Sequence, residues 1–134
     1  MRIRILLADD HTIVLEGLRR FLQGQEDIEV VGQAKDGRTA VELTRQLAPD
    51  VVIMDISMPI LNGIDATRQI HKDQPCVRII VLSMYPANVH VREMFAVGAC
   101  GYLLKDCDYQ EVLTAIRTVA EGGTYVSANM NRSP

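Results

Sequence analysis

Residues 3–10 read IRILLADD, an apolar stretch that ends in two adjacent acids. The same pattern recurs in residues 51–55 (VVIMD), 77–83 (VRIIVLS) and 101–105 (GYLLK), where a polar residue again closes the run. Nearly continuous apolar runs are typical of strands that are buried on both faces of a parallel sheet. The carboxyl ends of parallel strands lie along one edge, so the closing residues should meet there. They are three acids, a hydroxyl and an amine, a set that can hold a divalent cation and a phosphoryl group.

Helical patterns separate these strand-like runs, and a further strand pattern covers residues 28–34. Five strands that alternate with five helices imply right-handed βαβ crossovers and helices on both faces of the sheet. We therefore expect a single α/β domain with a flavodoxin-like (βα)5 doubly wound parallel sheet. The strand order 2-1-3-4-5 is chosen because it places the first and third strands, with their acids, side by side.

Composition narrows the function classes. The chain has 134 residues and a formal net charge of −3, which argues against nucleic-acid binding by this chain alone, because phosphate contacts need clustered Lys and Arg. No apolar run approaches the ~20 residues of a membrane span. Three cysteines without CxxC spacing predict neither a disulfide framework nor a zinc site. These features favour a cytoplasmic protein.

The acids carry the strongest chemical signal. One acid at a helix start is an ordinary cap, but the pair Asp9-Asp10 would repel without a nearby cation, so capping and metal binding are evenly balanced for it. Asp55 alone could simply end a strand. Beside Asp9-Asp10 it becomes a candidate Mg²⁺ ligand and a candidate nucleophile, because a carboxylate can form an aspartyl phosphate.

The remaining candidates are weaker individually. Ser83 could donate to a phosphoryl oxygen and Lys105 could pair with it, but a loop-start hydroxyl and a surface lysine are the ordinary interpretations. Tyr102 alone is typical of a strand aromatic with its hydroxyl in water. His11 is interpreted as a surface residue at a helix start, because hard-ion sites prefer oxygen ligands.

Taken together, these residues resemble the receiver domain of a two-component response regulator. Residues 6–11 (LLADDH) match its acidic-pair motif, and residues 55–59 (DISMP) with Asn62-Gly63 match its phosphoacceptor loop. Ser83 matches the switch hydroxyl, Tyr102 the switch aromatic and Lys105 the active-site lysine. The resemblance covers residues 2 to about 123. Residues 98–106 (GACGYLLKD) most resemble the NarL/FixJ group, whose members carry a LuxR-type helix-turn-helix output domain.

The resemblance implies a role for each site residue. Asp55 would accept a phosphoryl group from a sensor histidine kinase. Asp10 and Asp55 would bind Mg²⁺ directly together with the Ser57 backbone carbonyl, and Asp9 would act through water. Lys105 would pair with the phosphoryl group, assisted by Ser83. The switch would consist of Ser83 moving towards the phosphoryl group and Tyr102 turning inward.

Two further positions follow from the family pattern. Ser57 and Tyr85 correspond to positions that modulate the lifetime of the phosphoryl group. Asp106 departs from the pattern, because many receivers have proline after the lysine; a cis peptide there would cost roughly 3 kcal/mol without proline.

The resemblance also divides the chain. Residues 1–123 would form the receiver domain, and residues 124–134 would begin an interdomain linker. The chain would then be a truncated regulator that lacks its DNA-binding output, or alternatively a natural stand-alone receiver. Its partners would be the kinase, the chain's own helix-turn-helix domain and, on phosphorylation, a second copy. It would not be an enzyme, although it would assist its own phosphorylation and dephosphorylation.

Three alternatives stay open at this point. A small phosphatase or phosphotransferase with an aspartyl nucleophile is the closest, although DIS at 55–57 lacks the second acid of a D-x-D pattern. A nucleotide-binding module is disfavoured because neither G-x-G-x-x-G nor G-x-x-x-x-G-K-[ST] occurs. A phosphorylation-independent dimerisation domain on the same fold is the third.

Overall fold

A computed structural model describes residues 2–58, 60–84 and 87–127 of the chain. Strands and helices alternate along it in the predicted order. The strands are β1 Ile3–Ala8, β2 Ile28–Ala34, β3 Val51–Asp55, β4 Arg78–Ser83, β5 Gly101–Leu104 and β6 Tyr125–Val126. The helices are α1 Thr12–Gln23, α2 Gly37–Leu47, α3 Gly63–Asp73, α4 Ala87–Ala96 and α5 Tyr109–Ala120.

All strands pair in parallel, in the order β2-β1-β3-β4-β5-β6. The predicted flavodoxin-like fold and the predicted order of the first five strands are confirmed. β6 was not predicted. Its two residues lie in the segment that was expected to begin a linker, and Ser127 donates its backbone N–H to the Tyr102 carbonyl at 2.9 Å. The linker prediction for residues 128–134 falls outside the described residues.

The sheet has an apolar core on each face. Successive side chains of a strand point to opposite faces, so Ile5 and Leu7 of β1 pack with α1 and α5, whereas Leu6 and Ala8 pack with α2, α3 and α4. Because both faces are covered, the central strands contain almost no polar residues except where they end. This explains why the polar closing residues are so prominent in the sequence.

Local sequence fixes where the helices begin. Asp36, Asn62 and Asp108 cap α2, α3 and α5, each accepting a backbone N–H from the first turn of its helix. α1 differs, because His11 occupies its cap position without a capping side-chain bond.

Gly63 brings the start of α3 against the end of β3. A Cβ atom at this position would lie 2.3 Å from the Asp55 carbonyl oxygen and 2.7 Å from the Ile56 Cα atom, far inside contact distance. The Gly63 N–H donates to the Ile56 carbonyl at 2.9 Å. The absence of a side chain therefore allows the loop after Asp55 to fold back tightly. Within the described residues, no helix has the length and apolar character needed to cross a bilayer.

Candidate functional site: an acidic cluster at the carboxyl edge of the sheet

Two acids close the two central strands. Ala8 of β1 pairs with Met54 of β3, so the residues that follow, Asp9 and Asp55, lie side by side. Both are almost fully buried, at 1% exposure. The Asp10 side chain is more accessible, at 32% exposure. The strand order thus creates a cluster from residues that are 46 positions apart in the chain.

Lys105 provides the cation that this cluster needs. Its Nζ atom lies 2.9 Å from Asp55 Oδ2 and 3.2 Å from Asp9 Oδ2. Burial lowers the pKa of the ammonium, but the hydrogen bond and charge of Asp55, together with Asp9, outweigh this effect and raise the pKa above its ordinary value. Lys105 is therefore a fixed positive charge in the site. The Lys105 N–H also bonds to the Ser83 carbonyl at 2.8 Å, which anchors the lysine at the end of β4.

His11 belongs to the cluster as well. Its side chain is 57% exposed, as a surface residue should be, but Nδ1 lies 3.0 Å from Asp9 Oδ1 and 3.2 Å from Asp10 Oδ1. The same nitrogen is 3.1 Å from Lys105 Nζ and 4.0 Å from Asp55 Oδ2. The prediction of a plain surface residue was thus incomplete. Its position next to the acid pair is the signal that the sequence offers, although imidazole is not a preferred ligand of hard ions.

The acids of the central strands do not cap the following helix. Asp9 Oδ1 accepts the His11 N–H at 2.8 Å, which orders the turn before α1, but the structure assigns α1 no capping side chain. Asp55 Oδ1 accepts the Ser57 N–H at 3.1 Å in the same way. Within the described residues the backbone N–H that Asp9 accepts is that of the cap residue His11 and not one of the first turn of α1, so this geometry favours the metal-site interpretation of the pair, which stays a prediction.

Ser83 and Tyr102 form a second, linked group. Ser83 is 2% exposed and Tyr102 is fully buried. Burial raises the pKa of the Tyr102 hydroxyl, and a hydrogen bond with Ser83 acts in the opposite direction. Tyr102 therefore does not have its hydroxyl in water, the interpretation that its sequence position alone favoured. Of the other predicted positions, Pro59 and Tyr85 lie outside the described residues.

The donor set fits a hard divalent cation. One ligand atom from each of Asp9, Asp10, His11 and Asp55 can be chosen so that all lie within 4.8 Å of one another. Asp9 Oδ2 is buried, and its contact with Lys105 Nζ at 3.2 Å is an ion pair without hydrogen-bond geometry, which leaves this oxygen able to bind a cation or its water. The cluster contains three carboxylates and one ammonium, which pairs with Asp9 and Asp55, so two formal negative charges remain for a cation to balance. Carboxylate oxygens are the preferred protein ligands of Mg²⁺.

Comparison with known proteins identifies the family. The model of the response regulator receiver domain matches residues 5–117. The chain belongs to this family and is the receiver domain of a two-component response regulator.

Relatives and solved structures agree with this assignment. The transcriptional regulatory protein MctR of Rhizobium johnstonii is 43% identical over 129 residues, which are 96% of this chain and 60% of that protein. The crystal structure of a LuxR-family two-component response regulator from Aurantimonas sp. SI85-9A1 aligns with a TM-score of 0.92 and 35% identity, over 97% of this chain and 93% of the other. The isolated REC domain of RcsB from Salmonella enterica serovar Typhimurium, in the presence of phosphomimetic BeF3−, gives a TM-score of 0.89 and 27% identity over 98% of both chains.

The similarity confirms the predicted NarL/FixJ group, to which LuxR-family regulators belong. The chain spans 53–60% of the length of the curated relatives it matches.

Proposed function

We propose that Asp55 accepts a phosphoryl group from a sensor histidine kinase, in the presence of Mg²⁺, and that this modification controls a C-terminal DNA-binding output that regulates transcription. The observation that carries the proposal is a buried carboxylate, Asp55, held 2.9 Å from the Lys105 ammonium beside two more carboxylates. A catalyst of phosphoryl transfer needs a nucleophile and compensating positive charge in one place.

The chemistry is a single displacement at phosphorus. An Asp55 carboxylate oxygen forms a bond to the phosphorus atom, the phosphorus–nitrogen bond of the kinase phosphohistidine breaks, and the kinase imidazole leaves with the electron pair. The Ser57 N–H and the Lys105 ammonium hold the two Asp55 oxygens, which orients the nucleophile. Lys105 then pairs with the transferred group, assisted by the Ser83 hydroxyl. A Mg²⁺ ion bound by Asp10, Asp55 and the Ser57 carbonyl, and by Asp9 through water, would neutralise charge on the phosphoryl oxygens.

A conformational switch would follow from the bond between Ser83 and Tyr102. The Tyr102 ring already lies inside the protein and its hydroxyl hydrogen-bonds with Ser83, so the predicted inward turn would need a starting state other than this one. A phosphoryl group that recruits the Ser83 hydroxyl would break this bond and change what Tyr102 contacts. The Tyr102 carbonyl also accepts the Ser127 N–H, which links the switch to the segment that leads towards the output domain. Phosphorylation switches work in this way, because a local change in charge shifts a structural element from one arrangement to another. We propose homodimerisation as one consequence.

The surroundings of the site suit a protein donor. Met84, which is 75% exposed, lines a depression with His11 and Lys105. Ile13, which is 88% exposed, lines a neighbouring depression that also contains Lys105. Exposed apolar side chains around a charged centre are typical of surfaces that bind other proteins. This surface and the acidic cluster together support a cytoplasmic kinase domain as the partner.

The acceptor role, rather than turnover, is favoured by the loop after β3. The residue two positions after Asp55 is Ser57, not a second acid, and only its backbone N–H contacts the Asp55 carboxylate. A phosphatase would need a proton donor for the leaving group, and an acid at that position would supply one. We also propose that this part of the protein does not contact DNA, since its net charge is −3.

Intact-mass measurement after incubation with acetyl phosphate and Mg²⁺ tests the proposal. The wild type should gain the mass of one phosphoryl group, and Asp55→Asn should gain none. Asp73→Asn is the matched control, because Asp73 is an exposed acid that pairs with Arg45 on the surface; it should label like the wild type. Labelling of Asp55→Asn at the wild-type level would refute the acceptor assignment. Multiple turnovers of p-nitrophenyl phosphate would instead favour the phosphatase.

A further inference from the structure

We propose that His11 is a direct metal ligand when a transition-metal ion occupies the acidic cluster, so that this site prefers ions such as Co²⁺ over Mg²⁺. The inference rests on the proposed function to the extent that the same acids bind the cation. It adds a nitrogen ligand to the oxygen ligands Asp10, Asp55 and the Ser57 carbonyl.

The position of the imidazole carries the inference. Nδ1, and not the exposed side of the ring, faces the cluster, with contacts of 3.0 Å to Asp9, 3.2 Å to Asp10 and 3.1 Å to Lys105. An ammonium only donates and a carboxylate only accepts, so Nδ1 would accept from Lys105 and donate to Asp9 or Asp10 according to its tautomer. In the tautomer that carries its proton on Nε2, which is the one a metal ion would bind through Nδ1, the lone pair points to the place where the carboxylate oxygens converge.

The dimensions of the cluster permit a shared ion. The ligand atoms of His11 and the three acids lie within 4.8 Å of one another. Metal–ligand bonds of about 2.0–2.2 Å place two ligands of one ion at most about 4.4 Å apart, so shifts of a few tenths of an ångström close the site. The 57% exposure of the side chain leaves the ring free to make this movement.

Ligand chemistry then separates two classes of ion. Mg²⁺ takes oxygen ligands and retains water, so it gains little from an imidazole. Co²⁺, Ni²⁺ and Zn²⁺ bind imidazole well and have higher intrinsic affinity for mixed nitrogen and oxygen sites. His11 should consequently contribute to the affinity for Co²⁺ far more than to the affinity for Mg²⁺.

The test compares Co²⁺ and Mg²⁺ binding by calorimetry in the wild type, His11→Asn and His71→Asn. Asparagine is a favourable residue at a helix N-cap, the position of His11, so His11→Asn should fold. The ratio of Co²⁺ affinity to Mg²⁺ affinity should fall by at least about tenfold in His11→Asn. It should stay constant in His71→Asn, because His71 lies in the last turn of α3.

Proton NMR of the Co²⁺-loaded protein gives a second readout. A coordinated imidazole has hyperfine-shifted ring protons, which should be present in the wild type and in His71→Asn and absent from His11→Asn. An unchanged affinity ratio, or identical shifted signals in His11→Asn, would overturn the inference. Labelling of Asp55 in the presence of Mg²⁺, measured on the same wild-type preparation, separates the two hypotheses. If Asp55 is not labelled, the result counts against the proposed function. If Asp55 is labelled but the ratio of Co²⁺ to Mg²⁺ affinity is unchanged in His11→Asn, only the role of His11 is wrong.

Discussion

Two pairs of acids near the carboxyl ends of strands in this sheet serve two different purposes. Asp36 and Asp108 follow β2 and β5, where each accepts a backbone N–H and caps the next helix, at 2.7 Å and 2.8 Å. Asp9 and Asp55 follow the central strands β1 and β3. They are 1% exposed and face Lys105.

The difference shows that position in the sheet, rather than residue type, decides what an acid does. Near the ends of the sheet an acid stays in contact with water, and a helix N-terminus satisfies it. Between two central strands it is desolvated, and burial of a charge is tolerable only beside an opposite charge. Capping acids therefore stabilise the fold, whereas the central acids are stable only beside positive charge and so form a site that can bind a cation.

The largest effect is expected when the fixed cation is removed. Lys105→Met leaves two buried carboxylates without an opposite charge, so the free energy of unfolding should fall by about 3 kcal/mol in urea titrations without divalent cations. Mg²⁺ should restore part of the loss. Lys72→Met, at an exposed position of α3, is the control. Equal stability of the two variants would mean that the central acids do not need Lys105.

The next effect concerns the divalent cation. Mg²⁺ at one hundred times its dissociation constant should raise the free energy of unfolding of the wild type by about 2.7 kcal/mol. Asp10→Asn should weaken binding and reduce this increment at the same Mg²⁺ concentration. Asp108→Asn should keep the full increment, because Asp108 caps α5 and faces no other acid in the cluster. A similar reduction in both variants would remove the distinction between the two kinds of acid.

A capping acid should show the opposite behaviour. Asp108→Ala removes the bond to the Glu111 N–H, so unfolding should become easier by about 1 kcal/mol, while acetyl phosphate should label Asp55 as in the wild type. Asp108→Asn should retain most of the stability, since an amide oxygen also caps a helix. Loss of labelling in a folded Asp108→Ala protein would show that this acid acts on the site.

Sequence reasoning was most successful where one physical cause dominated. Apolar runs that alternate with helical spacing predicted the five strands and five helices, because burial on both faces leaves a strong pattern. β6 was missed because Tyr125–Val126 is only two residues long and is held by pairing with β5 and by side chains. The Tyr125 hydroxyl and the Ser127 hydroxyl both donate to the Glu111 carboxylate, at 2.9 Å and 3.1 Å. No local pattern encodes such contacts.

The candidate site was predictable in membership but not in detail. The chosen strand order brought Asp9, Asp10 and Asp55 together, and the structure places Lys105 with them. The direction of His11 Nδ1 depends on side-chain rotation, and the Ser83–Tyr102 hydrogen bond depends on packing between β4 and β5. The spacing of residues along the sequence reveals neither of them. The roles in phosphorylation came from resemblance, and they stay predictions until Asp55 is labelled.

The smallest effect is expected from an acid that neither caps nor enters the cluster. Asp27 lies before β2 and pairs with Arg117 of α5 at 2.9 Å, with both side chains more than 40% exposed. The Arg117 hydrogen bond lowers the pKa of Asp27, so the stabilisation is present above the unfolded pKa of about 3.9 and is lost as pH falls through the folded pKa. Asp27→Asn should lower the melting temperature near neutral pH by less than Asp108→Ala does. This difference from the wild type should shrink with added salt and vanish in acid. If the difference in melting temperature persisted in acid, Asp27 would stabilise the protein through its backbone turn rather than through its charge. Exposed acids such as Asp27 would then resemble the acids that cap helices.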